Sequence, residues 1–564
     1  MLDEFLHEPR IAYFSMEIAL RSEIRIYSGG LGVLAGDTLR SAADLEIPMV
    51  AVTLVSREGY FRQEIDAQGR QVEHPDSWRP QEWATPLGAK VAVTIEGRTV
   101  WVGCWLYVLR GHMNGKQPVL LLDTDLDEND PGDRQITHYL YGGDDAYRLK
   151  QEVVLGIGGI RMLQALGFEI REYHMNEGHS ALLALELLRR HAYPKEDLRP
   201  GEPLYDIPRI RELCNFTTHT PVEAGHDQFS YDLVRRILGD FIDLATLRHL
   251  AGEAQLNMTR LALNLSEYVN GVAKRHAEVS RQMFPGYRVH AVTNGVHPYT
   301  WTAKSFALLY DQHLPGWCHE PELLVRAECC IADTAIWDAH VAAKAALIET
   351  VQSRCGVALK ADLPILGFAR RMTAYKRPDL LFSDLGRLQA IARRWPFQIV
   401  LAGKAHPRDA AGKQLIERLH RHVRELSAVI PIAFVPNYDM DVALHMVAGA
   451  DIWVNTPLRP QEASGTSGMK AAFNGVPSLS VLDGWWIEGC IEGITGWAIG
   501  DKAESANGRD APLLYDKLEQ VVLPLYYQDR SGWIAVMKGA ISKNASFFNS
   551  HRMMRRYAAE AYLR

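Results

Sequence analysis

Apolar runs of four to eight residues alternate with stretches of helical periodicity through the carboxyl-terminal half of the chain. Residues 363–368 (LPILGF), 397–404 (FQIVLAGK), 430–435 (IPIAFV) and 451–456 (DIWVNT) read as strands, and VPSLSVLDG reads as another. Amphipathic stretches separate them: DLLFSDLGRLQAIARR, GKQLIERLHRHVREL and MDVALHMVAGA. GTSGMKAAFNG (465–475) reads as a short helix opened by glycine. This alternation predicts βαβ units and a parallel, doubly wound sheet.

The amino-terminal half shows the same pattern with additions. RIAYFSM (10–16) and PMVAVTLVS (48–56) are strand candidates flanking GGLGVLAGDTLRSAADL. Residues 90–109 form a hairpin turning at Glu96-Gly97, and QPVLLLDTD is a further strand. Helical patterns cover 146–166 and 179–192, and 211–220 reads as a strand running into a polar loop. Residues 257–284 are expected as one long amphipathic helix carrying Asn270 and His276, with VHAVTNGV (289–296) a final strand. The expected division is an α/β lobe over 1–297 and a Rossmann-like lobe over 298–564, the last helix packing back toward the first lobe. Two such lobes make a cleft, and in open parallel sheets ligands sit at the carboxyl ends of the strands.

Composition narrows the class. The chain has 564 residues, 47% hydrophobic and 23% charged, which is room for two domains with large cores. Its net charge of −7 disfavours non-specific nucleic-acid binding. Seven scattered cysteines with no CxxC pair argue against a disulfide framework or zinc ribbon and fit a reducing cytoplasm. MLDEFLHEPR lacks a signal-peptide pattern, and no apolar stretch approaches a membrane span of about 18 residues.

Candidate chemistry gathers at predicted strand ends. Arg370, Arg371, Lys376 and Arg377 crowd one loop after a strand, which favours an anion over a merely solvated basic loop. In Glu462-Ala-Ser464-Gly465-Thr466-Ser467-Gly-Met-Lys470 the glycines allow close backbone approach. Lys470 sits among small and apolar neighbours, where an amine can lose its proton and condense with an aldehyde. An aldehyde reaching that lysine, with a phosphate at the helix start, is what pyridoxal phosphate needs. A glycine turn with an ordinary surface lysine is the simpler alternative. Gly29-Gly30-Leu31-Gly32 is a second candidate anion or sugar contact, or a turn that only packs closely. His219, Asn270, Asn176, Glu177 and His179 are single polar residues that structural hydrogen bonds would also explain. The five-residue spacing in HMNEGH is not that of HExxH, so no zinc site is expected.

Taken together, YSGGLGVLAGDTLRSAADL, YHMNEGHSALLALELL, FTTHTPVEAGHDQF, VNGVAKRHAEV, VTNGVHP, RRMTAYKRP, AGKAHP, VPNYDMDVA and EASGTSGMKAAFNG resemble the α-glucan phosphorylases. They stand in the family's order over residues 10–490, and wording such as SVLDGWWIEG resembles its compact bacterial and archaeal branch. The resemblance implies a GT-B architecture and a pyridoxal phosphate enzyme. It would transfer the non-reducing terminal glucosyl unit of glycogen, starch or maltodextrin to inorganic phosphate. Lys470 would form the Schiff base. Gly465, Thr466, Ser467 and Arg370 would hold the cofactor phosphate, with Tyr438 and Gly30 beside the cofactor. Arg371 and Lys376 would bind substrate phosphate. His219 and Asn270 would hold the sugar's 6-hydroxyl. Tyr375, Glu462 and backbone around Ser464 would hold the ring, with Gly29 and Leu31 close by. Glu177 and His179 would line the pocket beyond the anomeric side.

The long phosphorylases carry His and Glu where this chain has Thr373 and Ala374, and lysine where it has Arg370. The chain begins almost at its first strand, so no amino-terminal control segment is expected. Members of the family commonly self-associate, but the sequence carries no interface signature. Two other readings remain open here: a nucleotide-sugar glucosyltransferase of the same fold, which needs no aldehyde-trapping lysine, and a silent glucan-binding homologue, which needs no phosphate cations.

Overall fold

A computed structural model describes residues 2–563 except 201, 223–224 and 504–507. Glu223 and Ala224 of the FTTHTPVEAGHDQF segment therefore lie outside the described residues. Two sheets organise the chain. The first has nine strands in the spatial order His290–Ala291, Tyr268–Gly271, Cys214–Thr217, Ile170–Asn176, Arg10–Phe14, Met49–Leu54, Lys116–Asp123, Arg98–Arg110 and Thr85–Ile95. Its first seven strands pair in parallel. The last two are the antiparallel hairpin, which turns at Glu96 and Gly97, both with positive φ. The second sheet has six strands, all parallel, in the order Ile432–Val435, Gln398–Ala402, Ile365–Ala369, Ile452–Asn455, Ser478–Val481 and Gly496–Ile499. Most central strands of both sheets are buried along their whole length, which is why they read as continuous apolar runs.

Residues 257–284 are not one helix. Asn257 caps a helix over Met258–Asn264 by accepting from the Arg260 N–H. Tyr268–Gly271 then forms a strand, and a second helix runs over Lys274–Met283. The middle segment is claimed by parallel pairing with Cys214–Thr217, a tertiary demand that local periodicity does not carry. The strand expected over 289–296 is only His290–Ala291. The pattern over 146–166 is helical throughout but passes through a π turn at Val154–Gly158, ending where Gly159 packs on Phe14.

Two features tie the sheets together. The segment Ser550–Tyr557 lies against the helix Gly30–Asp44 and the first sheet. Ser550 meets Ser41 at 2.6 Å, and the Tyr557 hydroxyl reaches Thr217 and Asn270. The hairpin Arg62–Ile65/Gln71–His74 reaches across to the loops after two strands of the second sheet. There Gln63 donates to the Gly403 carbonyl and Gln71 to that of Ala405.

Candidate active site

Between the two sheets lies a cavity of ≈ 1140 Å³. Its second-sheet wall is built from loops that leave the carboxyl ends of the strands. The strand Ile365–Ala369 delivers Arg370 and Arg371, and a short helical turn, Ala374–Lys376, turns Tyr375 and Lys376 inward. The turn before the helix Ser467–Ala472 brings Ser464, Gly465, Thr466 and Ser467, with Gly465 at φ +84°, and the helix carries Lys470.

The electrostatics of this wall are uneven. Glu462 is buried and accepts from Arg370 Nη2 at 2.5 Å and from Lys376 Nζ at 2.6 and 2.7 Å. Burial alone would raise its pKa, but the charges of Arg370 and Lys376 outweigh that and hold it near 2. Arg370 still has Nε and Nη1 buried without partners, and Ser464 Oγ is likewise unpartnered. The Arg371 guanidinium has no hydrogen bond or ion pair among the described residues. A Cβ at Gly29 would stand 3.3 Å from its Nη2, so the glycine admits the guanidinium.

Lys470 is buried, and its Nζ forms no hydrogen bond or ion pair among the described residues. Its Nζ lies 3.8 Å from the centre of the Trp301 ring. Burial pushes its pKa down to about 8, against a smaller opposing pull from Asp37, which accepts from Trp301 Nε1 at 2.8 Å. A desolvated amine of this kind is a nucleophile at ordinary pH. Tyr438 completes this side of the cavity.

The first-sheet wall is held differently. Gly29, Gly30 and Leu31 open the helix Gly30–Asp44, and Glu177, His179 and His219 follow strand ends. Glu177 stands at φ 72°, ψ 166°, a conformation that side chains rarely adopt. Its carboxylate accepts from the backbone N–H groups of Gly178 and His219 and from the Thr220 hydroxyl, which fixes the His219 loop. His219 is kept neutral by burial, its pKa pushed down to about 3, and its Nε2 lies 2.7 Å from Asn176 Oδ1. With that nitrogen donating, Nδ1 is left as an acceptor. His179, also kept neutral by burial, stacks edge-on against Tyr141.

Asn270 is the predicted site residue that does not join the others. It sits on the strand Tyr268–Gly271, fully buried. It accepts from Thr217 Oγ1 at 2.9 Å and donates to the Tyr557 hydroxyl and the Gly271 carbonyl, and it is not part of the cavity lining. Among the described residues no cluster of three or more His, Cys, Asp or Glu is arranged to hold a metal, and no helix is long and apolar enough to cross a membrane.

The family model described as carbohydrate phosphorylase matches residues 17–102 and 222–493, more than half of the chain. The chain belongs to the carbohydrate phosphorylase family. Its two α/β lobes around a cleft are the GT-B arrangement of such phosphorylases. It is 39% identical to a maltodextrin phosphorylase of Thermococcus litoralis over 98% of this chain and 70% of that protein. It is 36% identical to a glycogen phosphorylase of Aquifex aeolicus over 99% of this chain and 87% of that protein. A Mycobacterium tuberculosis glycogen phosphorylase is 36% identical over 98% of this chain and 70% of its own length.

Several residues of this phosphorylase's cavity escaped the sequence reading. Glu17, Tyr60, Tyr141, Arg148, Asp227 and Trp301 all line it. Trp301 stood at the expected boundary between lobes, where its packing on Lys470 had no local sign. Glu17 had one signal: it directly follows a predicted strand, at the ligand edge of the sheet.

Proposed function

We propose that this phosphorylase moves the non-reducing terminal glucosyl unit of an α-1,4-glucan onto inorganic phosphate with retention, giving glucose 1-phosphate, and that it does so with pyridoxal phosphate. The observation that carries the reading is Lys470: a buried amine with depressed basicity and no partner, on the same wall as cations with unused donors. A buried lysine without an anion costs stability, so its retention points to a covalent partner.

The residues present fit the cofactor. Lys470 would hold its aldehyde carbon. The unpartnered Arg370 nitrogens, the Ser464 hydroxyl and the turn at Gly465, Thr466 and Ser467 would hold its phosphate. When bound, pyridoxal phosphate supplies a phosphate group whose second pKa lies near neutrality, able to exchange a proton with substrate phosphate. The unpaired Arg371 offers a bidentate fork to that substrate phosphate, and Lys376 adds a point charge. Their charges offset the repulsion between neighbouring phosphates and stabilise an oxocarbenium-like transition state through the anion they hold. Glu462, ionised throughout the physiological range, accepts sugar hydroxyls and does not act as an acid. His219, neutral, accepts from a sugar hydroxyl through Nδ1. The free cysteines fit a cytoplasmic site for this reaction.

Incubation with maltodextrin and inorganic phosphate tests the reading by assay of glucose 1-phosphate. Production of glucose 1-phosphate, with pyridoxal phosphate released by acid from the purified protein, is expected. Transfer supported only by UDP- or ADP-glucose, or protein that releases no pyridoxal phosphate, would refute it.

A further inference from the structure

Glu17 is buried and lies under the glycine turn. Its Oε2 accepts from the backbone N–H groups of Ser28 at 2.5 Å and Gly29 at 3.1 Å, and the Ser28 hydroxyl also reaches the carboxylate. Its Oε1 accepts from the Tyr141 hydroxyl at 2.9 Å. The fit is close: a Cβ at Gly32 would stand 2.7 Å from Oε2, so glycine there is what admits the carboxylate.

The hydrogen bonds divide the turn in two. Ser28 and Gly29 spend their N–H groups on Glu17. The next N–H groups, of Gly30, Leu31 and Gly32, open the 15-residue helix Gly30–Asp44 and have no acceptor among the described residues. The helix has no side-chain cap of its own. Gly30 and Leu31 line the cavity, and the unpaired Arg371 guanidinium comes up against Gly29. Two sets of unused anion donors, one from each lobe, therefore face one space, and Glu17 fixes the nearer one from behind.

Tyr141 in turn fixes Glu17. It holds a left-handed backbone at φ 56°, unusual for a bulky residue, with its ring over Arg148 at 4.4 Å and edge-on to His179 at 5.7 Å. Arg148 is anchored to Glu152 and Asp227. The turn's position is thus referred back to the opposite rim of the cavity.

We propose that Glu17 is a positioning residue for the phosphate site: through Tyr141 it sets the glycine turn at the distance from Arg371 that one phosphate dianion spans. The proposal rests on the phosphorolysis reading. A different role, counter-charge to Arg371, would depend on the negative charge of Glu17 alone. Positioning depends on an oxygen that accepts from Ser28 and Gly29, which a glutamine amide also provides.

The test uses the cofactor-loaded enzyme and three variants, with separate titrations of inorganic phosphate and maltodextrin. For Glu17→Ala, the phosphate KM is expected to rise about 10- to 100-fold, the scale of a lost charge-assisted anchor, with the maltodextrin KM within about threefold. Glu17→Gln should recover most of that loss, and Tyr141→Phe should raise the phosphate KM about two- to tenfold. The thermal shift induced by inorganic phosphate should shrink in the same order, at unchanged cofactor content. Glutamine as damaging as alanine, or equal rises in both KM values, overturns the proposal. If Glu17→Ala fails to fold, an unchanged phosphate KM in Tyr141→Phe overturns it. A wild-type enzyme that makes no glucose 1-phosphate refutes the phosphorolysis reading instead. The thermal shift with phosphate then still decides whether Glu17 places an anion site.

Discussion

The two ends of the six-stranded sheet treat buried charge in opposite ways. At the amino end, Asp451 accepts from His340 Nε2 at 2.9 Å, from Lys344 Nζ at 2.8 Å and from the Ile365 N–H at 2.8 Å. Burial would raise its pKa, but Lys344 and His340 win and hold it near 2. Lys344 also donates to the Leu363 carbonyl. At the carboxyl end, among the described residues, the Nζ of the buried Lys470 donates to nothing, the Arg371 guanidinium is unpaired, and Arg370 has two nitrogens unused. One lysine is a structural tie. The other is a cost that a bound ligand would relieve.

Replacing each lysine should separate these roles most widely. Lys470→Ala is expected to lower phosphorolysis by roughly 10⁴-fold or more, the scale of losing a group on which catalysis depends, and to abolish bound pyridoxal phosphate. Lys344→Met should leave turnover per folded molecule intact. It should cost about 3–5 kcal/mol in urea unfolding, because it strands Asp451 in the interior. Activity lost in both variants alike would erase the distinction between the two ends.

pH sharpens the same contrast. The Lys470 pKa, lowered by burial to about 8, means the folded protein binds fewer protons than the unfolded chain between about pH 8 and 10.5. Stability therefore rises with pH through that window, and below it the full penalty of a buried ammonium is present. In cofactor-stripped protein, Lys470→Met should be more stable than wild type at pH 7 by up to roughly 3 kcal/mol, from 1.36 kcal/mol per pKa unit. That advantage should fade toward pH 10. Chemical denaturation of both proteins at pH 7 and 9.5 measures it, and a pH-independent difference would show that Lys470 carries no such penalty.

How much of this was legible beforehand follows the same division. Strands buried on both faces announce themselves as apolar runs, so the second sheet, except its edge strand Gly496–Ile499, and its ligand edge were readable, and with them the cation loop and Lys470. The segment 257–284 was misread because its strand exists only through pairing with Cys214–Thr217. Asn270 shares that origin. The family resemblance gave it the sugar's 6-hydroxyl, but the fold bonds its side chain to Thr217 and Tyr557, partners 53 and 287 positions away. Glu17 was missed for the reverse reason: two of its partners are backbone N–H groups, which no residue type reveals, and Tyr141 reaches it from 124 positions away.

Within the carboxyl end itself, the unpaired and half-paired arginines should differ. Arg371→Ala is expected to raise the phosphate KM about 100-fold while changing the maltodextrin KM less than threefold, since among the described residues its guanidinium makes no ion pair and removing it strands no partner. Phosphate and glucan titrations check this, and equal losses would move Arg371 from the anion to the sugar.

Arg370→Lys is the finest test. Nη2 of Arg370 serves Glu462 at 2.5 Å, while Nε and Nη1 have no acceptor among the described residues. A lysine can keep the ion pair with Glu462 but cannot also offer the second and third donors of the fork. If those spare donors face the cofactor phosphate, the variant should stay folded and keep its maltodextrin KM. It should also lose pyridoxal phosphate on dialysis about three- to tenfold faster, the scale of one or two hydrogen bonds. Cofactor loss at the wild-type rate would mean that the unused nitrogens of Arg370 do not hold that phosphate, and that the residue acts there through its pairing with Glu462.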